Sequence, residues 1–383
     1  MTQQAAPSLK TSLKPSGLEG VVATQSSICF IDGDAGRLIY AGYDIGDLVQ
    51  HCSFEETVYL LWHGELPNAV QLAALKADIG RQMALPPHVK SLLEHLPRQT
   101  QPMDALRTAT SALGADDPDL KSNDPDANLR KAIRLTAQLP TIVCAFHRLR
   151  SGQPVIEPDP KLSIAANFLY MLTGKTPHET LVRAMDAALV VHAEHGLNAS
   201  TFACRVTAAT LSDLHAAITS AIAALKGPLH GGANQDVMEM LIEAGDIHTL
   251  ESWARKALAE GKKIPGFGHR VYKVLDPRAA FLHDISRQLG EAAGNTKWYE
   301  MSQRLIPIVK ELKSKDPNVD FFSASSYYTM GIPMDLFTCV FAIARVAGWT
   351  AHAMEQHRNN RLIRPMDEYI GPFDRKVVPI AKR

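Results

Sequence analysis

The residues able to do chemistry in this 383-residue chain fall in four short segments. The richest is Ile264-Pro-Gly-Phe-Gly-His-Arg-Val-Tyr-Lys-Val-Leu-Asp-Pro-Arg278. Pro265 fixes φ, while Gly266 and Gly268 allow a tight turn and close approach by a ligand. Phe267 between them offers a flat apolar face, and His269 follows directly, then the cations Arg270 and Lys273. Asp276 reads as an N-cap, with Pro277 at the first helical position and Arg278 in the first turn. Such a stretch suits a polyanion; taken alone it equally describes a capped turn with solvated charges.

The other three segments decide between these readings. Gly227-Pro-Leu-His-Gly-Gly-Ala-Asn234 exposes His230 in a glycine-rich loop where a buried helix ends. His192-Ala-Glu-His-Gly-Leu-Asn198 puts His195 at a helix C-terminus, a place where the helix dipole alone also favours histidine. Asp316-Pro-Asn-Val-Asp-Phe-Phe-Ser323 places Asp320 ahead of an aromatic pair, where a plain N-cap is the competing account. His192, Glu194, His352 and His357 read as packing and capping residues. His192 and His195 lack the partners of a zinc-site motif, so no metal site is assigned. Gly266 and Gly268 lack the third glycine and preceding strand of a dinucleotide fingerprint. What remains is neutral general acids, one carboxylate base and several arginines, an apparatus for enolising a carbon acid beside a carboxylate-bearing partner.

The elements that must position these residues are helical. Val21-Val22-Ala23, Ser27 to Ile31 and Leu38 to Tyr40 read as a small N-terminal hairpin, preceded by a loose arm of about sixteen residues. From Ser53, where Ser53 and Glu56 form a capping box, helices dominate. They cover Asn68 to Met83, Ser91 to Leu96, and Leu129 to Arg148 with an expected break at Pro140. Leu162 to Leu172, His178 to Val191, Ser200 to Leu211 and Ser212 to Leu225 are alanine-rich and nearly uncharged, which predicts burial on all sides. After Gly227-Pro228 the pattern turns amphipathic (Asn234 to Ala244, His248 to Glu260, Arg278 to Leu289, Thr296 to Lys313), as in a smaller, more exposed domain. Apolar character returns at Met334 to Ala347, and a basic, irregular tail follows from Asn359.

Lys and Arg together number 40, as do Asp and Glu, so nothing in the net charge points to nucleic acid or a membrane surface. Five cysteines without a C-x-x-C pair argue for a reducing compartment, and no apolar leader precedes the first arginine at position 37; a cytoplasmic protein is expected.

Gly-Pro-Leu-His230-Gly-Gly-Ala-Asn, then Pro-Gly-Phe-Gly-His269-Arg-Val-Tyr-Lys with Asp-Pro-Arg278, then Pro-Asn-Val-Asp320-Phe, in that order, resemble the citrate synthase family. The likeness runs from Gly17-Leu-Glu-Gly-Val-Val to Arg364-Pro365 and is closest to the compact bacterial and archaeal type. It implies a mainly α two-domain fold, with residues 1–226 and 328–383 forming a large domain and 227–327 an inserted small domain. It implies a homodimer with shared active sites, and condensation of acetyl-CoA with oxaloacetate without a permanently bound cofactor. By resemblance, Asp320 is the base, His230 the donor to the thioester oxygen and His269 the group polarising the oxaloacetate carbonyl. His195, Arg278, Arg345 and Arg364 match the carboxylate-binding positions, Arg364 reaching the neighbouring subunit's site. Gly266, Phe267 and Gly268, with Arg270, Lys273 or Lys313, are expected at CoA. The competing readings are a 2-methylcitrate synthase acting on propionyl-CoA, a catalytically silent CoA-binding helical protein, and a metal-dependent hydrolase.

Overall fold

A computed structural model describes residues 17, 18 and 20–383; the expected N-terminal arm lies outside the described residues. The chain opens with a three-stranded antiparallel sheet, β1 (Cys29–Asp32), β2 (Arg37–Tyr40) and β3 (Tyr43–Asp44), in sequential order. Its register pairs Cys29 with Tyr40 and Ile31 with Leu38, which places the buried Leu38 and Tyr40 on one face. The expected hairpin is therefore present with a third strand. Val21-Val22-Ala23 is not part of it: these residues are irregular and largely exposed.

Sixteen α-helices follow among the described residues. They are α1 (Ile45–His51), α2 (Phe54–His63), α3 (Ala69–Gln82), α4 (Pro87–His95), α5 (Pro102–Leu113), α6 (Pro125–Arg150), α7 (Ile164–Thr173) and α8 (Glu179–His192). Then come α9 (Ala199–Ala208), α10 (Leu214–Leu225), α11 (Ala233–Ala244), α12 (Leu250–Ala259), α13 (Pro277–Ala292), α14 (Lys297–Lys313), α15 (Val319–Thr329) and α16 (Phe337–Arg358). Local chemistry sets many boundaries. Ser53 and Glu56 cap α2 reciprocally, Asn68 and Gln71 do the same for α3, and Gly174 closes α7 in the left-handed conformation. Asp276 caps α13 with Pro277 behind it, as the sequence predicts.

Helix α6 corrects one expectation, since it runs unbroken through Pro140. Proline removes the N–H that would bond to Thr136 O, at a cost of about 3 kcal/mol in an unsupported helix. Here Leu135, Leu139, Ile142, Val143 and Phe146 are all buried, and α3, α4, α5, α7 and α16 surround the helix. Packing on every side holds the two halves in line. Helices α1 and α5 carry no expectation from the sequence reading, being short or polar at their starts.

Two groupings matter for the site. Helix α16 is buried along almost its whole length against α2, α6, α8, α9 and α10. The segment Met334–Arg358 is long and apolar enough to cross a membrane, yet its most apolar window lies wholly inside the protein. Helices α11 to α15 pack largely on one another, α13 on α15 and α12 on α14, while α13 also rests on α1 and α8. The chemistry-bearing segments lie between these groupings.

Candidate active site

His195 and His269 come together although 74 positions separate them. Their ring centroids are 5.2 Å apart, and Tyr272 stands beside both, at 5.5 Å from His195 and 4.8 Å from His269. The Tyr272 hydroxyl and His195 Nε2 share a hydrogen bond of 3.1 Å. His269 Nδ1 accepts the backbone N–H groups of Val271 at 3.0 Å and Tyr272 at 3.2 Å. A ring nitrogen that accepts carries no proton, so the neutral His269 holds its proton on Nε2, free to donate. Burial, with the Arg278 guanidinium second, pushes His269 down to about 4. Burial and then Arg278 likewise hold His195 well below the usual histidine range.

His230 is fixed by a relay the sequence does not reveal. Ser200 N donates to His230 Nε2 at 3.3 Å, and Ser200 Oγ lies 2.8 Å from the same nitrogen. Trp349 Nε1 in turn donates to Ser200 Oγ at 3.1 Å and the hydroxyl donates to Asn198 Oδ1 at 2.8 Å, so the Ser200 amide is the donor at His230 Nε2. The neutral His230 therefore carries its proton on Nδ1. Burial, then the charge of Arg345, lowers it to about 4.

Both arginines are deeply buried. Arg278 is 2% exposed and makes a two-pronged pair with Asp276, Nε to Oδ1 at 3.0 Å and Nη2 to Oδ2 at 2.8 Å. Asp276 also accepts Val319 N at 3.2 Å, which ties the start of α13 to the start of α15. Arg345, 1% exposed in the middle of α16, donates Nε to His192 O at 2.6 Å and lies 4.7 Å over the Phe341 ring. Its Nη2 has no hydrogen-bond partner. Phe341 is also 6.4 Å from His230 and 5.0 Å from His192, so one ring spaces the cation from two imidazoles.

Asp320 stands in the first turn of α15, and the N-cap expected as its competing role belongs to Asn318, whose side chain accepts Asp320 N. The same Asn318 donates Nδ2 to Gly268 O at 2.8 Å, and its N–H to Gly266 O at 2.9 Å. Gly268 N closes the staple on Asp316 O at 2.8 Å. The turn requires glycine: Gly266 and Gly268 have φ of 80° and 79°. One asparagine thus locks the loop before His269 to the helix carrying Asp320. Burial pushes the Asp320 carboxyl up to about 6, against the opposing charge of Arg278.

The remaining expected residues are placed differently. The Phe267 ring turns inward onto Phe321, 4.6 Å between centroids, so its flat face is not presented to a ligand. Arg270, Lys273 and Lys313 are exposed, with Lys273 paired to Asp34 at 2.7 Å. Arg364 is exposed in the irregular segment after α16, and among the described residues it has no hydrogen bond or ion pair with the others. Ser200, Tyr272, Asn318 and Lys315 escaped the sequence reading. The Lys315 side chain runs along Gly268, its amine 3.6 Å from where a Cβ would stand there. The Asn-Val-Asp spacing was the available signal for Asn318; the others had none. A separate cavity, lined by Trp62, His63, Leu129, Met354 and Arg358, shares no residue with this site.

With Asp320 pushed up to about 6 and His230 and His269 down to about 4, a reaction that uses Asp320 as its base has a defined pH dependence. The base form of Asp320 accumulates as pH rises through 6, while the imidazoles are neutral throughout that range. The acid limb of kcat/KM should therefore fall near pH 6 with no second step between 6 and 8. Asp320→Asn should lower kcat by about 10²–10⁴-fold. A limb centred near 4, or an active Asn variant, would remove Asp320 from the role.

A family model described as citrate synthase, C-terminal domain, matches residues 17–366. The chain is 50% identical over 373 residues to a citrate synthase of Haloferax volcanii, covering 96% of this chain and 98% of that one. It is 51% identical over 371 residues to citrate synthase 2 of Bacillus subtilis, with the same coverage. A 2-methylcitrate synthase of Corynebacterium glutamicum is 42% identical over 372 residues, again covering 96% and 98%. The citrate synthase of Thermoplasma acidophilum, solved with carboxymethyl coenzyme A and oxaloacetate, superposes with a TM-score of 0.90 at 34% identity, covering 96% of this chain and 98% of that one. Sequence, fold and the order of the motif segments agree over nearly the whole length, and the chain belongs to the citrate synthase family, an enzyme of its acyltransferase type.

Proposed function

We propose that the protein condenses acetyl-CoA with oxaloacetate and hydrolyses the citryl thioester to citrate and CoA. The function is that of a citrate synthase. The observation that carries the residue assignments is that the charges of two buried guanidiniums, Arg278 and Arg345, reach His195, His230 and His269 as well as the Asp320 carboxyl of raised affinity for protons.

Asp320 takes a proton from the thioester methyl group, and His230 Nδ1–H donates to the oxygen on which the enolate charge develops. A thioester methyl is a weak acid, and a donor aimed at that oxygen contributes about 3 kcal/mol in a dry site. His269 Nε2–H polarises the keto carbonyl. The new C–C bond forms between the methyl carbon and the keto carbon, whose oxygen gains a proton. Water then adds to the thioester carbon, the C–S bond breaks and the thiol leaves. Arg278, Arg345 and His195 hold the oxaloacetate carboxylates, guanidinium forks matching carboxylates in two prongs. Free thiol should appear only when both acetyl-CoA and oxaloacetate are present, and at an unchanged rate after exhaustive chelation. Thiol release without oxaloacetate, or loss on chelation, would point to a hydrolase instead.

A second reading has support in the 2-methylcitrate synthase relative at 42% identity. Acetyl-CoA and propionyl-CoA differ by one methylene, worth about 1–3 kcal/mol in an apolar pocket. The relatives at 50% and 51% identity favour acetyl-CoA. The expected kcat/KM is higher for acetyl-CoA than for propionyl-CoA, and the reverse order would transfer the chain to the other branch.

For CoA, the backbone of Gly266 to Gly268 lines the adenine side, and Arg270, Lys273, Lys313 and the additional Lys315 surround the phosphates. Phe267 contributes through its backbone, its ring being turned inward. Lys315→Glu should raise KM for acetyl-CoA about fivefold, the scale of an exposed contact of ~1 kcal/mol, and leave KM for oxaloacetate unchanged. Equal effects on both substrates would remove Lys315 from the phosphate site.

Residues 227–327 form the small domain that closes over the substrates on a large domain of 1–226 and 328–383. The enzyme works in the cytoplasm, in keeping with five free thiols, as a homodimer. Arg364 crosses to the neighbouring site. The support is the exposure of the tail, where Leu362, Met366, Tyr369 and Phe373 are all uncovered. Arg364→Ala and Asp320→Ala should each be nearly inactive, while mixed dimers of the two recover up to half the wild-type activity. Proven subunit exchange without recovery would place Arg364 outside the shared site.

A further inference from the structure

The three-stranded sheet lies outside the chemistry, yet its hairpin touches the backbone around both His195 and His269. Tyr40, fully buried on β2, donates its hydroxyl to Glu194 O at 2.7 Å and accepts Glu194 N at 3.2 Å. Glu194 immediately precedes His195. Ile31 on β1 packs against the residue that follows it, its Cδ1 3.2 Å from where a Cβ on Gly196 would stand. At the hairpin tip, Gly33 O accepts Lys273 N at 2.9 Å. Gly33 also lies so close to the Val271 carbonyl that a side chain at position 33 would overlap it. Val271 is the residue whose N–H, with that of Tyr272, fixes the proton of His269 on Nε2. The tip holds its own shape, Asp32 Oδ1 accepting Asp34 N at 3.0 Å and Ala35 N at 2.8 Å.

We infer that the β1–β2 hairpin is a positioning element of the oxaloacetate half of the site: Tyr40 and Gly33 set the spacing and orientation of His195 and His269. The inference rests on the reading that those two histidines hold the keto acid. Its physical basis is rigidity. A short paired hairpin with buried Leu38 and Tyr40 can hold the turn around His195 and the 271–273 segment at fixed separation, whereas the bridge at Phe267 and Pro317 holds only the other end of the His269 loop. It also explains why glycine is needed at position 33, whose φ lies outside the left-handed region. Close approach to Val271, and not backbone strain, is what excludes a side chain there.

The test is Gly33→Ala, with Tyr40→Phe as a second variant that keeps the ring and deletes the hydroxyl. Alanine can adopt the backbone at 33, so the change acts through Val271 and displaces the amides that orient His269. Misplacement on this scale costs on the order of 10–100-fold in rate. We expect that loss in kcat/KM for oxaloacetate for Gly33→Ala, and a smaller loss in the same parameter for Tyr40→Phe. The affinity for CoA alone, by titration calorimetry, should not change for Tyr40→Phe, whose hydroxyl meets only α8 and Glu194, and should fall much less than kcat/KM for Gly33→Ala. On a His269→Ala background, Gly33→Ala should cost little more, because both act on one group. Equal loss toward CoA and oxaloacetate, or a full additional loss on the His269→Ala background, would show a general structural role and overturn the inference. Should Gly33→Ala fail to fold, an unaltered kcat/KM in Tyr40→Phe overturns it. Wild-type activity in His269→Ala alone would instead overturn the underlying site reading, whatever the hairpin variants do.

Discussion

Two guanidinium groups buried in a helical core are the constraint on which this structure turns. Arg278 and Arg345 are 2% and 1% exposed, and removing an ion from water costs several kcal/mol. Asp276 answers the first with a two-pronged pair. The second is met by the charge of the buried Glu194 carboxylate, a carbonyl from the last residue of α8 and the face of Phe341 one turn earlier on α16. Arg345 occupies the middle of the most buried helix, so α8, α16 and the turn after His192 must meet there. Its unpartnered Nη2 is a cost to stability, about 1–3 kcal/mol for a buried donor, and under the proposed function it is the donor that meets a substrate carboxylate.

The same positive field governs the histidines. His195 and His269 feel burial first and Arg278 second, His230 burial first and Arg345 second, and all three are held neutral. Neutral imidazole donates through one nitrogen, so backbone geometry decides which. The amides of Val271 and Tyr272 select Nε2 of His269, and the amide of Ser200 selects Nδ1 of His230. The carboxylate at Asp320 moves in the opposite direction, up to about 6, because burial disfavours its charge more than Arg278 favours it. Neutral acids and a basic carboxylate coexist in one site because desolvation acts with opposite sign on cations and anions.

Positional accuracy comes from small polar links rather than from the large core. Asn318 holds the glycine loop to α15, Asp276 holds α13 to α15, and Trp349 with Ser200 holds His230 to α16 and α9. Each joins segments far apart in sequence, so the apolar helices supply the frame and a few hydrogen bonds fix where the candidate site residues lie.

Much of this was legible in the residues alone. Asp276-Pro277-Arg278 at a helix start, the capping box at Ser53 and Glu56 and Gly174 closing α7 follow from short-range chemistry, which a linear chain displays; burial on all sides, expected of the alanine-rich helices, does not hold for α8 and α10, where Arg183 and Ala223 are exposed. The motif segments around His195, His230, His269 and Asp320 were legible for the same reason, since glycines and polar groups in an apolar helical chain stand out against their neighbours. The continuity of α6 through Pro140 was not, because it depends on five packed helices that local propensity does not contain. Nor was the inward turn of Phe267, set by Phe321 more than fifty residues on, or the roles of Ser200, Tyr272, Asn318 and Lys315. Residue types and their spacing determined the helical class and the candidate chemistry. The tertiary structure alone decided which nitrogen carries each proton, which of the two buried arginines makes a direct ion pair and which loops the hairpin touches, because these depend on contacts between segments that approach only after the chain has folded.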